Sequence, residues 1–284
     1  MMKILVTGCN GQLGRAINEV YKGEDVSLIN TDFGTELSLD ITDAEAVDRM
    51  LSEQKPDVVI NCAAYTAVDN CESEEDKAYT INALGPKNLA VAAKKYNAKL
   101  VHISTDYVFK GDATKPYVES DKPNPISAYG RTKLAGENFV KENCDKYFII
   151  RTAWLYGDGK NFVKTMMRLS EDHAEVNVVS DQLGSPTSAM ELARAIKYIV
   201  NTEKYGIYHG TCEGVCSWAD FTSEIFRLAN KSTKVNYILT KDYPTAAARP
   251  AYSVLENENF NKNTDFRFAD WKDAIAEYMK GFKA

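Results

Sequence analysis

Apolar positions in the first half of the chain come in short runs, separated by stretches whose apolar residues recur every three to four positions. Residues 3–7, 26–30, 58–62, 100–104 and 147–151 are runs of the first kind and read as strands buried on both faces. Residues 12–22, 43–54, 74–96 and 127–143 are of the second kind and read as helices. Pro56 stops the second of these helices, and Gly85-Pro86 marks a break or a new first turn in the third. Such alternation predicts right-handed crossovers and an α/β fold built on a doubly wound parallel sheet. Residues 110–126 carry Gly111, Pro116, Pro123 and Pro125 and predict a long surface loop. It falls at the carboxyl edge of the sheet, where ligands bind in such folds. Beyond Trp154 the rhythm loosens. Residues 161–170, 189–200, 218–229 and 271–282 read as helices, and 176–179 and 235–239 as strands.

Composition narrows the class of protein. The 284 residues are 44% apolar and 26% charged, enough to bury a core without disulfides or metal. A net charge of −6 excludes the general basic field that nucleic acid or an anionic membrane would need. A negatively charged substrate therefore requires a local cationic pocket. No apolar run approaches the ~20 residues of a membrane span, and the first strand begins too early to follow a signal peptide. A cytoplasmic chain is the expectation. The six cysteines are scattered; Cys212 and Cys216 stand four apart without a second pair, so they read as structural thiols. His102, within a strand, reads as packed or hydrogen-bonded, and neither His173 nor His209 has a partner at ligand spacing.

Three motifs carry candidate chemistry. Gly8, Gly11 and Gly14 follow the first strand and open the first helix. Glycine permits the tight turn and lets the backbone approach a pyrophosphate at the helix N-terminus. Asp32, at the end of the second strand, suits the adenosine ribose hydroxyls and repels a 2′-phosphate, which favours NADH. Arg15, beside Gly14, leaves NADPH open. Asp40 and Ile41 flank the adenine side, and the small Ala63 and Ala64 let a cofactor approach the third strand. Ser104-Thr105-Asp106 ends the fourth strand, and Tyr129 and Lys133 stand one helical turn apart on one helix face. The pattern is that of carbonyl reduction by hydride transfer. Tyr129 is the proton donor, Lys133 lowers its pKa and holds ribose, and Thr105 orients the carbonyl. The divisions that follow are a Rossmann NAD(P) domain over 1–154 and a smaller, discontinuous C-terminal substrate lobe, mainly 155–284. The strand from Val176 and the helix from Ala189, about 176–200, are expected to return to the main sheet.

Together, Gly8-x-x-Gly11-x-x-Gly14, residues 104–109 (Ser-Thr-Asp-Tyr-Val-Phe) and Tyr129-x-x-x-Lys133 resemble the extended short-chain dehydrogenase/reductases. Ala67-Val68-Asp69, the run from Arg151 to Gly157, Asp181-Gln182-x-Gly184-x-Pro186-Thr187 and Arg249-Pro250 extend the likeness along the chain, toward reductases of nucleotide-linked deoxysugars. The resemblance implies reduction of the 4-keto group of a nucleoside-diphosphate deoxysugar, of the kind that takes dTDP-4-dehydro-L-rhamnose to dTDP-L-rhamnose. It implies Thr105, Tyr129 and Lys133 as the catalytic set. Gly11, Gln12, Leu13, Asp40, Ile41, Ala63, Ala64, Thr66 and Lys133 would line the cofactor. Val68, Ser104, Asp106, Tyr107, Trp154 and Gln182 would contact substrate, with Arg249 on its diphosphate. Two departures stand out. Tyr252 replaces the family's usual Asn, and Ala16 stands where some relatives place a glutamate that binds Mg²⁺ at a dimer interface, so a metal and a homodimer are both left open. Another nucleotide-sugar reductase or epimerase, and a non-catalytic subunit like that of methionine adenosyltransferase, are the alternatives.

Overall fold

The computed structural model describes residues 1–282. Its first half runs β1 (Met2–Thr7), α1 (Gln12–Val20), β2 (Val26–Thr31), α2 (Ala44–Gln54), β3 (Val58–Asn61), α3 (Gly85–Lys95), β4 (Lys99–Thr105), α4 (Ala128–Asn143) and β5 (Tyr147–Thr152). The second half runs α5 (Phe162–Asp172), β6 (Glu175–Val179), α6 (Ala189–Ile199), β7 (Gly206–His209), α7 (Trp218–Leu228), β8 (Lys234–Ile238) and α8 (Trp271–Lys280). The central sheet has the order β7-β5-β4-β3-β1-β2, and every pairing in it is parallel.

Alternation along the strands divides the core into two layers. Ile4, Val6, Ile60, Val101 and Ile150 face α1 and α6, where Leu13, Ile17, Leu192 and Ile196 meet them. Leu5, Val59, Leu100 and Ile149 face the other way, against Val47 and Leu51 of α2, Leu89 and Ala93 of α3, and Val140 of α4. A third core joins α5, α7, α8 and β6 through Val163, Phe221, Ile225, Trp271 and Ile275. Helix starts follow local chemistry. Asp43 accepts from the Glu45 and Ala46 N–H groups, Ser127 from Gly130, and Ser217 forms a reciprocal box with Asp220.

The structure departs from the sequence pattern at three places. The strand from Val176 does not return to the main sheet; β6 pairs in parallel with β8 instead. Its alternating exposure, with Glu175 and Asn177 open, suits a ribbon covered on one face, not a two-sided layer. The returning pieces are α6, packed on α1, and the short β7, whose Gly206-Ile207-Tyr208-His209 carries too little apolar signal to stand out. Second, residues 75–95 form one helical rod with a π segment at Thr80–Leu84 between Glu75–Tyr79 and α3. Pro86 has no N–H for a helical bond, and the altered register before it absorbs that loss. Third, the 110–126 loop is tied down. Tyr117 stacks on Phe109 at 4.3 Å and pairs with Leu255, and buried Glu119 accepts from the His209 and Asn259 N–H groups.

A buried ion pair joins α4 to β5. Arg151 donates to both oxygens of Glu137 at 2.9 and 2.8 Å, and Ser104 donates to the same carboxylate at 2.6 Å. Both charged side chains are almost fully enclosed, at 2% and 0% exposure. Removing one partner strands the other charge in the core. Glu137→Ala is expected to lower unfolding stability by about 3–5 kcal/mol, read from urea denaturation. The Glu137→Leu, Arg151→Met, Lys133→Met triple variant, which leaves none of these three charges unpaired in the core, should lose far less.

Candidate active site

Tyr129 is the second residue of α4, and Lys133 follows one turn later. Gly130 makes the placement feasible: a Cβ there would stand 2.2 Å from the Tyr107 carbonyl oxygen. Without a side chain, the start of α4 settles directly on the turn after β4. Tyr129 then meets Tyr107 edge-on, with ring centroids 5.5 Å apart. Gly136 does the same one layer deeper, where a Cβ would sit 2.2 Å from the Asn82 carbonyl oxygen in the π segment.

The Lys133 ammonium is buried and donates to the Ile103 carbonyl at 2.6 Å. Burial pulls its pKa down to about 8, and nearby Glu137 partly opposes that shift. Burial raises the Tyr129 phenol above its ordinary value, the Asp106 carboxylate adds to the rise, and a bond with Thr105 counters it. This corrects the expectation of a phenol lowered by Lys133. The ammonium faces a backbone carbonyl, and desolvation of the phenolate dominates. Thr105 donates to Asp106 Oδ1 at 2.8 Å and accepts from the Tyr107 N–H. Asp106 is enclosed, its second oxygen has no partner among the described residues, and burial pushes its pKa up to about 6.

Two cavities flank this cluster. One, of about 500 Å³, opens on the glycine turn and is lined by Gly8, Gly11, Asp32, Asp40, Ile41, Ala63 and Ala64. Gly8 has φ +65° and lies so close to β3 that a Cβ would be 2.8 Å from the Ala63 nitrogen; a Cβ on Gly14 would be 2.4 Å from the Gly8 oxygen. The Asp32 carboxylate accepts from the Asn10 and Phe33 N–H groups and Asp40 from Thr42, so both acids are held in place beside the cavity. The second cavity, about 310 Å³, gathers Tyr107, Gln182 and Arg249 with Phe162, Trp218 and Tyr243. Tyr129 shares one apolar cluster with Tyr65, which lines the first cavity, and Tyr107, which lines the second; Val68 packs there too. A larger hollow of about 1230 Å³, lined by Asn10, Gln12, Arg15, Asp158 and Tyr278, also meets the glycine turn; Thr105, Tyr129 and Lys133 lie behind the walls of all three cavities and line none of them.

Several expected residues stand differently. Leu13 is packed in the core, so only its backbone is left for a cofactor. Gln12 lines the larger hollow, and Thr66 is exposed. Arg15 pairs with Asp158 at 2.8 Å and lines that hollow rather than the glycine-turn cavity. The Ser104 hydroxyl is committed to Glu137, because the strand's alternation turns it into the buried network. Trp154, at φ +50°, stacks on Trp218 at 3.5 Å, and it is Trp218 that borders the second cavity. Residues the motifs did not single out include Asn82, whose amide bonds both the N–H and the carbonyl of Tyr65. Phe162, Trp218 and Tyr243 were equally hidden. The π segment holding Asn82 had only Gly85-Pro86 as a signal, and the aromatics looked like ordinary core.

A glycine cradle at the carboxyl edge of a parallel sheet, with a buried tyrosine and lysine one helical turn apart beside it, defines an oxidoreductase of the extended short-chain dehydrogenase/reductase class. The family model described as RmlD substrate binding domain matches residues 2–284, and the chain belongs to that family. It is 40% identical to the spore coat polysaccharide biosynthesis protein SpsK of Bacillus subtilis, over 99% of this chain and 98% of the relative. The crystal structure of a dTDP-4-dehydrorhamnose reductase from Clostridium acetobutylicum is 53% identical with a TM-score of 0.96, covering 98% of this chain and 99% of that one. The enzyme of that name from Bacillus anthracis, solved in complex with NADP, is 43% identical with a TM-score of 0.95, covering 99% of this chain and 100% of that one.

The buried ammonium yields a pH test. A lysine whose folded pKa is lowered costs stability at and below that pKa, and the cost fades as pH rises toward the unfolded value. Relative to the parent, Lys133→Met should therefore lose ~3 kcal/mol of its standing between pH 7 and pH 10. Denaturant unfolding of the two proteins at both pH values measures it.

Proposed function

We propose that this protein reduces the 4-keto group of a nucleoside-diphosphate deoxysugar with a nicotinamide dinucleotide, the substrate being dTDP-4-dehydro-L-rhamnose and the product dTDP-L-rhamnose. The observation that carries the reading is the position of Tyr129: one packed cluster joins it to a residue of the glycine-turn cavity and a residue of the Arg249 cavity. A proton donor for hydride transfer needs that position, with cofactor on one side and sugar on the other. The names of the relatives supply the substrate class.

The cofactor fit rests on the chain itself. The cradle that Cβ atoms on Gly8 or Gly14 would fill, the α1 N-terminus behind it, and a cavity of about 500 Å³ suit a dinucleotide. Gly8, Gly11, Ala63 and Ala64 allow close backbone approach, Asp40 and Ile41 would border the adenine side, and Lys133 and Tyr129 would hold the nicotinamide ribose. Gln12, Leu13 and Gly14 contribute through the N–H groups of the first turn, and Thr66 from the rim. Asp32 favours NADH, by bonding ribose hydroxyls and repelling a 2′-phosphate. When bound, the dinucleotide supplies the hydride.

The chain's own residues do the rest. Tyr129, its pKa raised by burial, remains protonated at neutral pH and gives that proton to the sugar oxygen as charge develops there. The Thr105 hydroxyl, beside the phenol, polarises the same oxygen. Lys133, one helical turn along α4 from the phenol, would hold the nicotinamide ribose. Asp106, Tyr107 and Val68 shape the sugar side, Gln182 and Trp218, backed by the stacked Trp154, the far wall, and Arg249 meets the diphosphate, for which its planar fork is suited.

Two results test the assignment. Tyr129→Phe should bind NADH within about threefold of the parent while turnover of dTDP-4-dehydrorhamnose falls by roughly 10²–10⁴, measured by loss of NADH absorbance; near-parental turnover overturns the proton-donor role. Asp32→Ala should raise the KM for NADH and narrow the preference over NADPH, read from the ratio of kcat/KM values. An unchanged ratio removes the role given to Asp32.

A further inference from the structure

Asp69 takes no part in the chemistry above, yet it ties together two distant segments of the chain. It lies in the short helix Val68–Cys71, directly after β3 and its loop. Its Oδ1 accepts from the Ala247 N–H at 3.0 Å, and its Oδ2 accepts from Arg249 Nη2 at 2.7 Å. The other terminal nitrogen, Nη1, donates to the Tyr107 hydroxyl at 3.0 Å. Tyr107 in turn rests edge-on against Tyr129.

The segment so held, residues 243–250, crosses the second cavity and gives it Tyr243, Thr245 and Arg249. At its far end it is fixed by shape: a Cβ on Gly111 would stand 2.3 Å from Pro250, and the Tyr252 N–H donates to the Gly111 carbonyl. At the near end Asp69 bonds both a backbone N–H and a side chain of the segment. An arginine side chain has several freely turning bonds, and fixing it before the substrate arrives removes that entropy from the cost of binding. Asp69 bonds one edge of the guanidinium and Tyr107 another, so the fork is oriented with its remaining N–H groups unpartnered among the described residues and able to meet an anion.

We propose that Asp69 is a positioning residue for nucleotide-sugar binding, which latches the 243–250 strap to the cofactor half of the molecule and presents Arg249 to the substrate diphosphate. The proposal rests on the reading of Arg249 as a diphosphate ligand. It predicts that the latch acts on substrate affinity, not on the hydride step.

The test uses Asp69→Asn, which keeps an acceptor for the Ala247 N–H and loses the charge, together with Asp69→Ala and Asp69→Glu. Asp69→Asn and Asp69→Ala should raise the KM for dTDP-4-dehydrorhamnose and the Kd for dTDP by about tenfold. The kcat and the KM for NADH should stay within about twofold, and Asp69→Glu should recover part of the loss. In an Arg249→Ala background the effect of Asp69→Ala on dTDP binding should vanish, because the two act as one unit. Tighter dTDP binding in Asp69→Asn would mean the carboxylate competes with substrate for Arg249 and would overturn the proposal. So would an unchanged dTDP affinity, additive losses in the double variant, or an equal rise in the KM for NADH. Parent protein that binds dTDP yet fails to reduce the keto sugar would count against the proposed reaction alone, since calorimetry with dTDP still reads the latch.

Discussion

A single ammonium group enclosed beneath the sheet edge sets the terms for everything around it. Among the described residues Lys133 has one close acceptor, the Ile103 carbonyl, and it has almost no contact with solvent. A charge in that position is tolerable only if opposite charge lies near, and Glu137, one turn further along α4, supplies it. Glu137 is itself enclosed and needs Arg151 and the Ser104 hydroxyl. Arg151 lies over the Phe109 ring at 5.0 Å, and its charge, after burial, helps pull the His209 imidazole down to about 3. The electrostatics of the candidate site thus extend through a chain of buried groups reaching from α4 through β5 to β7. That chain explains why the core below the carboxyl edge is polar, whereas the middle of the sheet is Val, Ile and Leu.

The strands of the first half were legible because both faces of a parallel sheet are covered, which leaves unbroken apolar runs in the sequence. The helices α2 and α4 were legible at their starts because Asp43 and Ser127 are good caps. Less visible was anything defined by a partner far away in sequence. Gly206–His209 becomes a strand only because β5 offers it an edge. Residues 176–179 look like any strand, and only their alternating exposure explains why they pair with β8.

The same division holds for the site. Gly8, Gly14, Tyr129 and Lys133 stand where local spacing puts them, and the fold brings them to one edge. Ser104 and Leu13 belong to the right motifs, yet the direction of their side chains is set by strand and helix geometry, and both point into the protein. The phenol's rise in pKa was hidden for a related reason. Spacing places the ammonium near Tyr129, but only coordinates reveal how much water the pocket removes and that Asp106 lies alongside. Phe162, Trp218 and Tyr243 come from three separate segments and meet only in the folded lobe.

The late return of β7 to the central sheet has a further consequence. The chain leaves the first layer after β5, builds most of the lobe's α5 and β6, comes back for α6 and β7, and departs again for α7, β8 and α8. Cutting after residue 154 would strip β5 of its outer neighbour β7, leaving it paired with β4 alone, and uncover the face on which α6 packs, exposing a row of unpaired backbone groups of the kind that recruits other chains. The two halves are therefore interlaced by threading as well as by contact, and neither is a module that evolution or an engineer can lift out with one break.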